Sequence, residues 1–192
     1  MLRRLVSAVL MMTLLLALCG CSGQSADEKT ALALRTALTE AAGCRMTLEV
    51  HADCDGRIYT FGLGYEDRAG EKRIEVLHPD TIAGVAARVD EAALQLEFED
   101  VVLDFGMPEG ALSTPLMVPY LLDTCLKSAY IAYTSDSDAG TVVRYYHGYE
   151  DDRLDVQVVI DRASLTPKTC EVFWDGRVIL SAEITEFELI DT

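Results

Sequence analysis

Residues Cys44–Tyr65 read CRMTLEVHADCDGRIYTFGLGY, and their alternation decides the fold class. Cys44, Met46, Leu48, Val50, Ala52 and Cys54 fall on one face of an extended chain, while Arg45, Thr47, Glu49, His51 and Asp53 fall on the other. A strand sends successive side chains to opposite faces, so this is a half-buried strand. Asp55-Gly56 is a tight-turn signal, and Tyr59, Phe61, Leu63 and Tyr65 alternate with smaller residues on the return. The stretch is an amphipathic antiparallel hairpin, and its apolar face needs a cover.

Working outward toward the C-terminus, strand patterns recur at Lys72–Leu77, Ile82–Val89, Ala93–Phe98 and Val101–Phe105. The segment Met107–Ala129 interrupts them with Pro108, Gly110, Pro115 and Pro119. Thr114 before Pro115 reads as a helix cap followed by a first-turn proline, and Pro119 either kinks that helix or starts a second one ending near Lys127. Leu116, Tyr120, Leu121, Cys125 and Leu126 make this insert apolar enough to plug a curved sheet. Strands resume at Tyr130–Thr134, and a polar turn at Ser135–Gly140 leads to Thr141–Tyr149. After an acidic turn at Glu150–Asp152 come Arg153–Ile160 and, beyond a loop at Asp161–Pro167, a final hairpin through Trp174-Asp175-Gly176 whose second strand begins with Val178, Leu180, Ala182 and Ile184. In the other direction, Ser25 and Glu28 form a capping box that opens a helix with Ala31, Leu34, Leu38 and Ala41 on one stripe. Gly43 stands where a left-handed C-terminal residue belongs. The predicted class is mainly β (α+β), a half-open antiparallel β-barrel of about eleven strands covered by an N-terminal helix and a helical insert.

The N-terminus carries a different signal. Arg3 and Arg4 precede an apolar run, Leu5 to Leu18, broken only by Ser7 and Thr13, and Leu18-Cys19-Gly20-Cys21 follows. The run is the length of a signal-peptide core and short for a bilayer span. Lipoprotein processing needs a small residue before the modified cysteine. Gly20 supplies it for Cys21, whereas Cys19 follows the bulky Leu18. The expected organisation is a lipoprotein signal peptide over 1–20, a lipidated tether over 21–24 and one domain over 25–192. Cys21 is the lipid-attachment site, holding the domain on the extracytoplasmic face of the cell membrane. Ser22 to Gln24 span about 10 Å at full extension.

Arg3 and Arg4 are the only charged residues of the signal, so the mature chain keeps 14 of the 16 basic residues against all 32 acidic ones, a net charge of −18. Such a surface disfavours nucleic acid and anionic lipid headgroups. His51, His78 and His147 lie on separate strands or turns without paired spacing, and neither G-x-S-x-G nor a phosphate-binding loop occurs. Asp136-Ser137-Asp138 with Gly140 lacks the glycine offset and distal glutamate of a calcium-binding loop, so it reads as a solvated turn. No enzyme, metal site or cofactor is expected. Cys44 and Cys54 cap opposite ends of one strand about 33 Å apart if it is straight, beyond disulfide range. Cys125 and Cys170 are free to be a bridged pair or two small buried thiols.

The order of helix, six-strand meander, proline-bearing insert and five-strand return resembles the lipoprotein carriers of the LolA and LolB families. The Tyr59–Tyr65 strand, the turn at His78-Pro79-Asp80, Leu165-Thr166-Pro167 before the Trp174-Asp175-Gly176 hairpin, and Phe187 carry the likeness. The resemblance implies an unclosed barrel whose apolar cavity takes acyl chains, with Met46, Leu48, Val50, Tyr59, Phe61, Leu63, Val156, Val158 and Trp174 pointing inward; the same alternation also suits a filled core. Arginine in the cavity belongs to the carrier pattern, but Arg45 falls by parity on the outer face. The plan equally resembles the germination lipoprotein of spore-forming bacteria, an anchored protein that associates with a cell-wall amidase. Two functions follow from these resemblances: binding of a lipid or acylated ligand, or regulation of envelope or spore-wall enzymes by contact with a protein partner.

Overall fold

The computed structural model describes residues 25–54, 56–90, 93–99, 101–104, 106, 110–148 and 153–191, the side chain of residue 54 excepted. Helix α1 (Ala26–Glu40) precedes six strands: β1 (Gly43–Cys54), β2 (Arg57–Arg68), β3 (Glu71–His78), β4 (Ala86–Val89), β5 (Leu94–Phe98) and β6 (Val101–Asp104). Two single 3-10 turns, Ala111–Ser113 and Pro115–Met117, run into α2 (Val118–Ser128). Five strands follow: β7 (Tyr130–Ser137), β8 (Gly140–His147), β9 (Leu154–Ile160), β10 (Pro167–Trp174) and β11 (Arg177–Ile190).

All eleven strands form one sheet in the order β6-β5-β4-β3-β2-β1-β11-β10-β9-β8-β7. Two meanders are thus joined by a single non-local pairing, β1 with β11, and the sheet stays open at β6 and β7. One face carries the core. Met46, Leu48, Val50, Leu63, Tyr65, Ile74, Val143, Val156, Val158 and Val172 are at most 2% exposed there, covered by Ala31, Leu34 and Leu38 of α1 and by Leu121, Leu122, Cys125 and Leu126 of α2. Ser25 caps the helix start, as expected, with the Glu28 amide donating to Ser25 Oγ at 3.0 Å.

Four features depart from the sequence reading. Helix α1 ends on the extended Ala41, and Gly43 is not a left-handed cap but the first residue of β1. A Cβ at position 43 would lie 1.8 Å from the Asp67 carbonyl oxygen, so glycine is there because two backbones touch. The predicted strand Ile82–Val89 is shortened to β4, because residues 79–85 fold back on β3: the Ile82 amide donates to the Pro79 carbonyl and the Gly84 amide to that of Val76. Asp136-Ser137 is the end of β7 and not a turn, and the Asp136 carboxylate accepts from Arg162.

The last departure lies in β11, which has two register shifts. Thr185 is left over between Ile184, opposite Leu48, and Glu186, opposite Thr47, and its hydroxyl donates to the Thr47 carbonyl. A bulge moves the following residues to the other face, so Phe187 comes to lie opposite Met46 and packs against the core. Ile179 is skipped in the same way between Val172 and Phe173 of β10. Strict alternation from Leu180 therefore puts Val178 on the wrong side, and it is 47% exposed.

Candidate ligand pocket and the polar anchor of its cover

Where the insert meets the sheet, packing is incomplete. Phe61 and Leu63 of β2, Val76 of β3, Ile82 and Val85 of the folded-back connection, and Thr114, Pro115 and Leu116 enclose a pocket of about 230 Å³. Thr114 is its one polar lining residue. Two causes meet here. Residues 79–85 leave the sheet plane as a turn, and the insert approaches as 3-10 helix. Pro115 and Pro119 lack amide hydrogens, and a regular helix begins only at Val118.

The volume is a little below the roughly 300–1,000 Å³ usual for small-molecule pockets. It suits one slender apolar group and not a bundle of chains.

Of the nine residues expected to point inward, the structure brings only Phe61 and Leu63 to this pocket. Met46, Leu48, Val50, Val156 and Val158 are inward but belong to the solid core. Tyr59 and Trp174 are 45% and 58% exposed. Their parity is inward, yet both sit at hairpin ends beside the turns at Gly56 and Asp175-Gly176, beyond the packed core. The interior behind β1, β9 and β10 is filled. Of the remaining pocket residues, Val76 belongs to β3, while Ile82, Val85, Thr114, Pro115 and Leu116 come from the turn after β3 and from the 3-10 segment with its cap, whose mutual approach leaves no periodic trace in the sequence.

The cover is pinned by buried polar groups. Asp123 of α2 is 1% exposed. Its carboxylate accepts from Tyr65 Oη at 3.0 Å and from Cys44 Sγ at 3.3 Å, and it pairs with Lys127 Nζ at 2.7 Å. Lys127 Nζ also lies 2.6 Å from Asp67 Oδ2, while Asp67 caps the β2–β3 turn by accepting from the Gly70 amide. Two carboxylates thus share one ammonium at the seam of α2, β1 and β2. Burial pushes the Tyr65 hydroxyl and the Cys44 thiol up, with the Asp123 charge acting in the same direction, so both are neutral donors. Burial opposes the charge of Lys127, but Asp123 and Asp67 outweigh it and its pKa is raised. None of these residues touches the pocket.

Cys44, Cys125 and Cys170 are free buried thiols, which closes the question left open for Cys125 and Cys170. Burial pushes the Cys170 thiol up to about 12. Arg45 is on the outer face, as its parity requires, paired with Glu66 and Glu188. His51 faces the Thr60 hydroxyl, the ring of His78 accepts from the Gly62 amide, and the pKa of His147 is lowered by burial. The described residues contain no cluster of three or more His, Cys, Asp or Glu placed to hold a metal ion. None of their helices is long and apolar enough to cross a membrane. Cys21 and the signal and tether segments lie outside the described residues.

The fold is an open antiparallel sheet of eleven strands, covered on its core face by an N-terminal and an inserted helix. Several solved structures are similar to it over most of their length. A LolA superfamily protein from Nitrosomonas europaea matches with a TM-score of 0.46 at 8% identity, over 84% of this chain and 94% of that one. A putative outer membrane lipoprotein-sorting protein domain from Vibrio parahaemolyticus matches at 0.49 and 9%, over 84% and 91%. The lipoprotein LppX of Mycobacterium tuberculosis matches at 0.42 and 12%, over 84% and 93%. By sequence, no family model and no curated protein matches the chain.

Proposed function

We propose that the chain is a non-enzymatic lipoprotein, anchored through Cys21 on the extracytoplasmic face of the membrane, that binds one acyl chain in the pocket between β2, β3 and the insert. The observation that carries this reading is the lining: seven apolar residues and one threonine around about 230 Å³. Such a site offers an apolar ligand burial and gives a polar one almost no partner.

Native mass spectrometry of the full chain, extracted from a bacterial membrane in mild detergent, tests it. A co-purifying acylated molecule is expected at one per chain. It should be lost in Val85→Phe, which fills the pocket without adding charge, and in Leu116→Glu, which adds charge at a half-buried position. Leu48 is unsuitable for such a test, because a charge in the solid core unfolds the domain. A folded wild-type chain that carries no acyl ligand beyond its own covalent lipid and takes up no fatty-acid probe overturns the reading.

A second reading, contact with a protein partner such as an envelope or spore-wall enzyme, is favoured by β6. This edge strand exposes Val101, Val102 and Leu103 by 56%, 60% and 52%, beside an unpaired backbone edge of the kind that accepts a partner strand. Crosslinking from a photoreactive residue at position 102 in intact cells tests it. A single defined adduct supports this reading and none removes it.

A further inference from the structure

A second, polar concavity lies at the C-terminal end of α2, apart from the lining of the apolar pocket. It is an open groove of about 940 Å³ lined by Arg35 of α1, Thr124 and Ser128 of α2, Tyr130 of β7, Tyr146 and His147 of β8, and Arg153 before β9, with Ala129, Ile131 and Gly148 between them. Its described lining holds two arginines and no Asp or Glu, in a chain with 32 acidic and 16 basic residues.

The arginines are held in place. Arg35 Nε donates to the Leu126 carbonyl at 2.9 Å, and its Nη2 donates to the carbonyls of Ala129 and Cys125 at 2.7 and 3.3 Å. It therefore closes the C-terminus of α2, and it forms no ion pair with a described carboxylate. Arg153 is paired with Asp155 at 3.0 Å and lies 4.4 Å from the centre of the Tyr146 ring. That ring in turn is 6.3 Å from the ring of Tyr130. Fixed guanidinium groups lose little freedom when they meet an anion, and a planar fork recognises oxyanions well.

We infer that this groove is a binding site for an organic phosphate. The guanidinium N–H groups of Arg35 and Arg153 not engaged with the protein, the His147 imidazole and the Thr124 hydroxyl supply more donors than a carboxylate accepts, and they match the several oxygens of a phosphate. The rings of Tyr130 and Tyr146, tilted by 35° to each other, supply an aromatic wall for the organic part. The inference is independent of the acyl reading, since the two sites share no residue. The phosphate can be that of a lipid headgroup or of a soluble metabolite.

The experiment titrates glycerol 3-phosphate, with inorganic phosphate as comparison, into the full chain held in phosphatidylcholine nanodiscs, followed by phosphorus NMR at fixed low salt. Saturable binding is expected, weakened by about tenfold or more in Arg153→Gln, as loss of one charge-assisted contact predicts. Arg73→Gln, at the distant pair with Glu97 on β3, should leave it unchanged. Arg35→Gln should weaken binding too, but Arg35 also closes α2, so Arg153→Gln is the deciding variant. If phosphatidylglycerol in the nanodisc displaces the probe, the source is a headgroup; if not, a soluble phosphate. Absence of saturable binding by the wild-type chain, or equal binding by Arg153→Gln, overturns the inference.

Discussion

Replacing Lys127 by methionine keeps the side-chain stem and removes the one ammonium between Asp67 and Asp123. The distances are short, 2.6 and 2.7 Å, and the three side chains are 20%, 8% and 1% exposed. Removing one partner from a buried ion pair costs about 3–5 kcal/mol because a charge is left without compensation. The partial exposure of Lys127 argues for the lower end, about 3 kcal/mol, a large share of the roughly 5–15 kcal/mol that holds a domain folded. With a urea slope near 2 kcal/mol/M the midpoint should fall by about 1.5 M. Urea unfolding followed by far-UV circular dichroism measures this. Asp67→Asn in the same chain should recover part of the loss, because it removes one of the two stranded carboxylates. A midpoint within about 0.3 M of the wild type, where about 1.5 M is expected, would refute the idea that this cluster holds the cover.

Three further outcomes follow from the packing. Burial raises the pKa values of Cys44, Cys125 and Cys170. A raised folded-state value gives stability that is complete below the unfolded thiol value near 8.5 and is lost as pH rises above it, by about 1.4 kcal/mol per pH unit for each thiol; melting temperatures between pH 8 and 10 should fall steeply, and less steeply in Cys125→Ala/Cys170→Ala. Gly43→Ala must push β1 off the Asp67 carbonyl and should destabilise by about 1–3 kcal/mol, read from the same urea transition. Ser25→Ala removes the acceptor for the Glu28 amide and should cost about 1 kcal/mol, with faster hydrogen exchange in the first turn of α1.

The fold was legible wherever one physical rule acted alone. Period-two alternation from Cys44 to Tyr65 is enough to set β1 and β2, because the inward residues from Cys44 to Ala52, with Leu63 and Tyr65, are buried in one core, and Ser25 with Glu28 needs only local hydrogen bonding. The pocket was not legible, since alternation marks a face as apolar without saying whether the space behind it is occupied. Leu48 and Phe61 look alike in sequence; one is fully buried in the core and the other faces the gap left by the turn at 79–85. Bulges at Thr185 and Ile179 erase the parity on which Phe187 and Val178 depended. Gly43 shows a further limit, because a close approach between strands and a helix cap call for the same residue. Asp123, an acid in the middle of an apolar helix, was the one sequence sign of the polar anchor, since such a group is buried only with partners.

The two halves of the insert are held by different forces, and this decides how the apolar pocket can be reached. Val118–Ser128 is fixed at its C-terminal end by Asp123, Lys127 and the three carbonyl contacts of Arg35. Among the described contacts, Ala111–Met117 is held by apolar packing and by short bonds within itself, Thr114 to Ala111 and Met117 to Thr114. Shifting the 3-10 segment breaks no ion pair, whereas moving α2 breaks several polar contacts. Local openings follow the weaker set of contacts. Amides of residues 111–117 should therefore exchange at least about tenfold faster than those of residues 122–128, a difference of about 1.4 kcal/mol in opening free energy. A bound acyl chain should protect the first group alone. Equal exchange across the insert would mean that it moves as one body, and the pocket would then open only when the Asp123 cluster comes apart.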